Sequence, residues 1–168
     1  YYEAAYKLTV PATFVASIAG SGLMAKVSNL DSKGEETVAD IGNTLAFVSI
    51  LAVPIFFGAA ALPEALVVTV FGPAYQNAAA LLVGLALFQV FASQSKTLRQ
   101  TLAGLDKPDV NVRISAVTLA LNIVLGVLLG LEFGGIGVVA ATVAAEFLRY
   151  LLLAYAVRRE LPNLTLFP

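Results

Sequence analysis

The 168-residue chain is 59% hydrophobic and only 12% charged, with a mean hydropathy of +0.86 and a formal charge of −1. A soluble domain carries about 25% charged residues, and one this small has too much surface for its volume to hide so many apolar side chains. Near-neutral charge leaves no basic field for a nucleic-acid partner. The absence of Cys and His removes disulfides, thiol nucleophiles, imidazole bases and the usual zinc and haem sites, so no metal and no cofactor is expected.

The first charge-free run covers 8–25 and predicts a membrane span at about 8–27, with Pro11 marking an early bend. A second run, 41–63, predicts a span at 40–62 that contains Pro54. The next run, 65–95, is too long for one span and is broken by "FGPAY" at 71–75, where Gly72 and Pro73 both interrupt regular helix. It divides into a short interfacial helix at about 63–71 and a span at 77–97. A fourth span is predicted at 113–131, "EFGGIG" (132–137) turns the chain, and a fifth follows at 136–157. Residues 161–168 are left as a tail or linker. The runs are rich in Leu and Ala and lack period-two alternation, which argues against a β-barrel. The expected fold is an all-α integral membrane protein with about five transmembrane helices, in direct contact with the lipid bilayer.

The Lys and Arg residues fall at every second connection. The loop at 28–39 carries Lys33 with Lys26 at its edge. The connection at 62–76 carries none. The loop at 98–112 holds Arg99 and Lys107, flanked by Lys96 and Arg113. The turn near 132–135 again has none, and the tail opens with Arg158 and Arg159. Basic residues on alternate connections follow the positive-inside rule. That pattern places the loops at 28–39 and 98–112 and the C-terminus in the cytoplasm, in a multi-pass protein of the cell membrane. A chance cluster would have to explain three basic connections alternating with two empty ones.

Charged groups inside a span cost about 2.5–3.5 kcal/mol each on insertion scales, so they mark candidates for function. Glu146 and Arg149, at i and i+3 in the last span, share a helix face. They read either as a local ion pair that neutralises itself or as a cavity-facing pair that meets substrate or couples to an ion. Glu3 and Lys7 form an i, i+4 pair at the outer end of the first span. Lys7 reads either as an interfacial anchor beside Tyr1, Tyr2 and Tyr6 or as a cation at the mouth of a cavity. Gln89 and Ser93 share a face of the third span and Asn122 sits within the fourth, positions suited to hydrogen bonds between helices or to ligand contacts. "GVLLG" (126–130) is a small-xxx-small motif that suggests close helix packing. Phosphate-binding loops, nucleophile–base pairs and paired intramembrane aspartates are all missing from the sequence, so an enzyme is not expected. "NLT" (163–165) matches a glycosylation acceptor but falls on the predicted cytoplasmic side.

"YYEAAYKL" (1–8), Pro54, "PEALVVTVFGPAYQNAAALLVGLALFQ" (63–89), "TLAGLDKPDV" (101–110) and "LEFGGIGVVAATVAAEFLRY" (131–150) occur in an order that resembles the C-terminal half of polysaccharide and lipid-linked-oligosaccharide flippases. Those flippases share a superfamily with the multidrug and toxin extrusion transporters. The resemblance implies a fragment holding helices eight to twelve, the partial second lobe of a two-lobe transporter. Its partner would be the missing N-terminal lobe of the same chain. The sequence starts without Met, which fits a piece of a longer protein. Alternating access would carry a lipid-linked glycan across the membrane, and the cations able to meet its diphosphate are Lys7 and Arg149. A cation-coupled drug exporter using Glu146, and a non-transporting membrane scaffold for glycan synthesis, are the alternatives. Pro54 and the Gly72–Pro73 break read as hinges or as a simple kink and a helix end.

Overall fold

The computed structural model describes residues 2–3, 5–7, 9–10 and 34–162. Among these, every regular element is helical and there is no strand. The described residues of 2–10 are helical and begin the first expected span, most of which lies outside the described residues. The elements that follow are α1 (Gly34–Ala61), α2 (Pro63–Phe71), a 3₁₀ turn (Pro73–Ala78), α3 (Ala79–Gly104) and α4 (Pro108–Glu160). Three stretches, Val38–Ala61, Pro73–Gly104 and Pro108–Glu160, are long and apolar enough to cross a membrane.

Local chemistry explains where the elements end. Gly72 closes α2 at φ 88°, a conformation closed to most side chains, and its N–H reaches the Val68 carbonyl at 2.8 Å. Pro73 then opens the 3₁₀ turn, so the Gly72–Pro73 break is a helix end. α1 runs on through Pro54 without interruption. α3 ends where Asp106 takes φ 58°, which a short polar side chain tolerates, and Lys107 N–H bonds the Leu102 carbonyl at 2.9 Å. Pro108 stands at the start of α4, where its missing N–H costs nothing.

α4 is two helices joined at Gly134 (φ 59°, ψ −136°), a backbone conformation that is essentially glycine's alone. The arms, 108–133 and 135–160, fold back on each other as a hairpin. Glu160 meets Lys107 at 3.6 Å, and Arg149 meets Thr118 at 3.1 Å. Near the turn, Gly137 backs directly onto the Leu129 carbonyl, and a Cβ on Gly130 would stand 3.1 Å from Val138 Cγ2. The midpoint of every pair falls within one residue of Gly134, so the register is constant along the hairpin. Each arm is about 39 Å long, enough for ~30 Å of hydrocarbon.

α3 is the hub. Its first half packs an Ala- and Leu-rich cluster that includes Ala5, Ala59, Val67, Leu82 and Val139. Its second half, through Leu98 and Leu102, packs Ile41, Leu45, Leu153 and Val157. Lipid tails are as apolar as these side chains, so burial from lipid supplies little force, and close backbone approach matters more. Gly84 provides it: a Cβ there would overlap Val139 Cγ1 of the second arm. The hairpin's outer face carries exposed Val112, Val117, Leu119, Ile123, Val127 and Leu128, a stripe suited to lipid.

The helices run alternately up and down. One end of the bundle collects the start of α1, the 105–107 turn and the end of α4. The other collects the end of α1, α2 and the Gly134 turn, where Gly135 lies against Leu81. Lys96, Arg99, Lys107, Arg113, Arg158 and Arg159 all lie toward the first end. Among described residues, Lys7 alone is basic at the other, beside Ala5 of the first cluster.

Several boundaries differ from the expected ones. α1 starts at Gly34, α3 runs to Gly104 and α4 starts at Pro108, so the loop expected at 98–112 shrinks to three residues and the one at 28–39 loses its second half to helix. Charge marks where the chain meets water, and a helix does not stop there. The stretch from Lys96 to Gly104 keeps its backbone hydrogen bonds inside a helix that protrudes beyond the apolar run.

Candidate functional site

The most connected polar group in the apolar interior is Glu146–Arg149–Thr118. Glu146 is 4% exposed, and its Oε2 accepts from Arg149 Nη1 at 2.7 Å. Arg149 Nε donates to Thr118 Oγ1 at 3.1 Å across the hairpin. Fully buried Thr118 donates its own proton back to the Ile114 carbonyl at 3.0 Å. The guanidinium fork is thus used on two edges, by a carboxylate on its own helix and a hydroxyl on the other arm. The arrangement is that of the local, self-neutralising pair, and it also fastens one arm to the other.

The remaining candidates make no bond to it among the described residues. Gln89, 1% exposed, donates from Nε2 to Thr9 Oγ1 at 3.2 Å, tying the first helix to α3, while its Oε1 is buried without a partner. Ser93 is buried beside it and donates to the Val90 carbonyl of its own helix at 2.8 Å. Asn122 sits half-buried on the first arm of α4, its Oδ1 near Gly126. Glu3 and Lys7 are exposed, and no ion pair joins them. Among the described residues the structure bonds Glu146 to Arg149, and no hydrogen bond or ion pair joins this pair to Gln89, Asn122, Glu3 or Lys7.

Sequence reasoning missed Gln94. Its Nε2 donates both to the Leu45 carbonyl at 3.2 Å and to Ser49 Oγ, clamping α3 to α1. The signal was available, since Gln94 follows the apolar run at a helical step from Phe91 and Val90, but one amide among several polar neighbours does not announce a partner 45 residues away.

Gln94 and Ser49 line a groove of about 770 Å³ between α1, α3 and the second arm of α4. Its walls are mostly apolar and aromatic, with Phe91, Phe147, Tyr150 and Tyr155, and Arg158 stands at its charged end. Phe91 packs on Phe147 and Tyr150 at ring-centroid distances of 5.0 and 6.1 Å. Phe91 and Phe147 also border a second, apolar groove of about 510 Å³ that continues to Ile136, near the opposite end of the bundle. From Ile136 to Arg158 the second arm rises about 33 Å, roughly the thickness of the hydrocarbon layer.

Apolar grooves thus run along a bundle of membrane-length helices. Over 143 residues, 84% of this chain, the sequence is 28% identical to a protein of Haloferax volcanii named "Probable low-salt glycan biosynthesis flippase Agl15". The chain is thus similar to a protein named as a probable flippase. The matched segment spans 30% of that relative's length. No family model matches the chain, and no solved structure matches it significantly.

Proposed function

We propose that this chain is the second-lobe portion of a membrane transporter that flips a lipid-linked oligosaccharide or polysaccharide precursor by alternating access. The observation that carries the reading is the relationship, over 84% of the chain, to a protein named as a glycan biosynthesis flippase. The groove along the second arm supports it. A polar glycan cannot cross ~30 Å of hydrocarbon unaided, whereas its lipid tail has no need to leave the bilayer. Aromatic and aliphatic walls from Ile136 to Tyr155 suit a tail, and Arg158 at the groove's end suits an anionic linkage. In this reading the missing first lobe closes the groove, the basic end of the bundle faces the cytoplasm, and no bond is made or broken in the substrate.

The test is reconstitution of the full-length protein in vesicles that carry a lipid-linked oligosaccharide in the inner leaflet, with exposure read by an external glycosidase. Exposure faster than in protein-free vesicles is expected. A rate equal to theirs, from protein that elutes as a folded species, overturns the reading. The drug-exporter alternative rests on Glu146, the one acid deep in the apolar interior among the described residues. There its carboxylate is already held by Arg149 at 2.7 Å.

A further inference from the structure

The two grooves meet at a pair of rings. Phe91 of α3 and Phe147 of the second arm line both of them, with centroids 5.0 Å apart and planes tilted by 57°. Tyr150 adds a third ring on the side of the basic end, 6.1 Å from Phe91. The walls on either side of the rings come from the same two helices. Toward the Gly134 turn, Gly84 and Leu87 face Val139 and Val143; toward the basic end, Val90 and Gln94 face Leu151 and Ala154. The rings therefore stand as a ridge across what is otherwise one crevice along α3 and the second arm. Phe147 lies midway between Ile136 and Arg158, which mark the far ends of the two grooves. Along the helix it is about 16 Å from each, half of ~30 Å of hydrocarbon. The ridge is thus at the depth of the bilayer's middle, and each groove spans one leaflet. The half toward the Gly134 turn has an apolar lining throughout, whereas the other includes Ser49, Gln94 and Tyr150 and ends in exposed Arg158, which makes no ion pair among the described residues.

We infer that Phe91 and Phe147 determine which lipid tails the transporter passes. The tail of the substrate occupies the half-groove of the leaflet that holds its head group, and changing leaflets means passing the ridge. Charge and depth argue for this occupant. An anionic linkage held at Arg158 leaves the depth of one leaflet before the rings, and an apolar chain is the part of the substrate that suits the walls beyond them. A slim chain slides over the rings with little disturbance, while a wide one must part them and give up their mutual contact. The inference rests on the flippase function proposed for the chain, and adds to it the two residues that set the tolerated width of the tail.

Flipping by the full-length protein in vesicles tests this, with two synthetic lipids that share one oligosaccharide and one phosphate linkage. One has a plain unbranched alkyl tail, and the other has the same tail ending in a pyrene. Exposure to an external glycosidase gives a rate for each lipid. The ratio of the two rates within one variant cancels any general loss of folded protein. The wild-type protein is expected to flip the plain lipid at least about tenfold faster, since a single methylene in an apolar site is already worth that much. Phe91→Ala/Phe147→Ala is expected to lose most of that preference, and Phe147→Leu, which keeps apolar bulk but no ring, to lose part of it. A packing defect alone would slow both lipids and leave the ratio where it was. If the double variant does not fold, the ratio in Phe147→Leu decides. Equal rates for the two lipids in the wild type overturn the inference, as does a ratio left unchanged by the substitutions, and in both cases the flippase function stands. Wild-type protein that elutes as a folded species and flips neither lipid overturns the flippase function itself, and the inference with it.

Discussion

Arg149 on the second arm of α4 reaches across the hairpin to Thr118 on the first, Nε to Oγ1 at 3.1 Å, while its Nη1 holds Glu146 at 2.7 Å. This one side chain neutralises a buried acid and joins the two arms within the apolar interior, whereas the Lys107–Glu160 pair joins them only at their open end. Removing it should hurt in both roles. Arg149→Gln leaves Glu146 buried and uncompensated, a loss of about 3–5 kcal/mol for a buried pair. The double variant Glu146→Gln/Arg149→Gln removes both charges together and should recover much of that. Thermal stability of the protein in detergent measures the difference. A double variant as unstable as Arg149→Gln would mean that the charge balance is not what the pair provides.

The Gly134 hairpin makes an ordered prediction about glycines. Gly137 sits against the Leu129 carbonyl, where a Cβ would collide with backbone that cannot move aside without opening the arms. Gly137→Ala should cost several kcal/mol or abolish folding, in the class of strong overpacking. Gly134→Ala should cost about 1–3 kcal/mol, since φ 59° with ψ −136° is a conformation that residues with a Cβ hardly adopt. Gly126→Ala should be nearly neutral, because the nearest atom to a Cβ there is Asn122 Oδ1 at 3.8 Å. Expression and melting temperature of the three variants rank them. Equal tolerance at 126 and 137 would contradict the hairpin register.

That ranking shows what the sequence could and could not reveal. Composition and the charge-free runs exposed the helices, the break at Gly72–Pro73 and the turn at 132–137, because a membrane span imposes a length and excludes charge. The small-xxx-small motif pointed to Gly126 and Gly130 as packing positions. Of the two, only Gly130 closes on a neighbour, and the tightest contacts belong to Gly84 and Gly137. A spacing rule finds which glycines share a face but not which face meets a neighbour. The same limit governs the polar residues. Glu146 and Arg149 were legible because an i, i+3 pair is a local relation, whereas Gln94 with Ser49 and Arg149 with Thr118 depend on packing between helices far apart in sequence.

The two interior glutamines should behave differently. Gln94 donates to Ser49 Oγ and to the Leu45 carbonyl, so Gln94→Leu removes two bonds between α3 and α1 and should destabilise by about 1 kcal/mol, on the scale of hydrogen bonds between membrane helices. Gln89 gives one bond, to Thr9, and holds an unpaired buried oxygen. Gln89→Leu gives up the bond but also relieves the orphan, so it should be close to neutral. Thermal unfolding of both variants in the same detergent checks this. A Gln89→Leu loss greater than that of Gln94→Leu would show that Gln89 Oε1 has a partner in the membrane, and would return Gln89 to the list of substrate contacts.

The distribution of basic side chains predicts orientation. Six Lys and Arg residues gather at the end of the bundle that holds the 105–107 turn, and the opposite end has Lys7 alone among described residues. The rule that positive connections stay inside places that turn in the cytoplasm. The sequence has no Cys, so a single cysteine can be introduced as a reporter without background from this chain. Lys107→Cys should resist a membrane-impermeant maleimide in intact cells and react once the cells are opened, and a cysteine at Gly135, beside the opposite turn, should react in intact cells. Lys107 is paired with Glu160, so Asp106→Cys, one residue earlier and exposed, serves as the check that the substitution has not disturbed the hairpin. Labelling of both 106 and 107 from outside would invert the bundle. It would also place Arg158 at the wrong end of the groove to receive a substrate made in the cytoplasm.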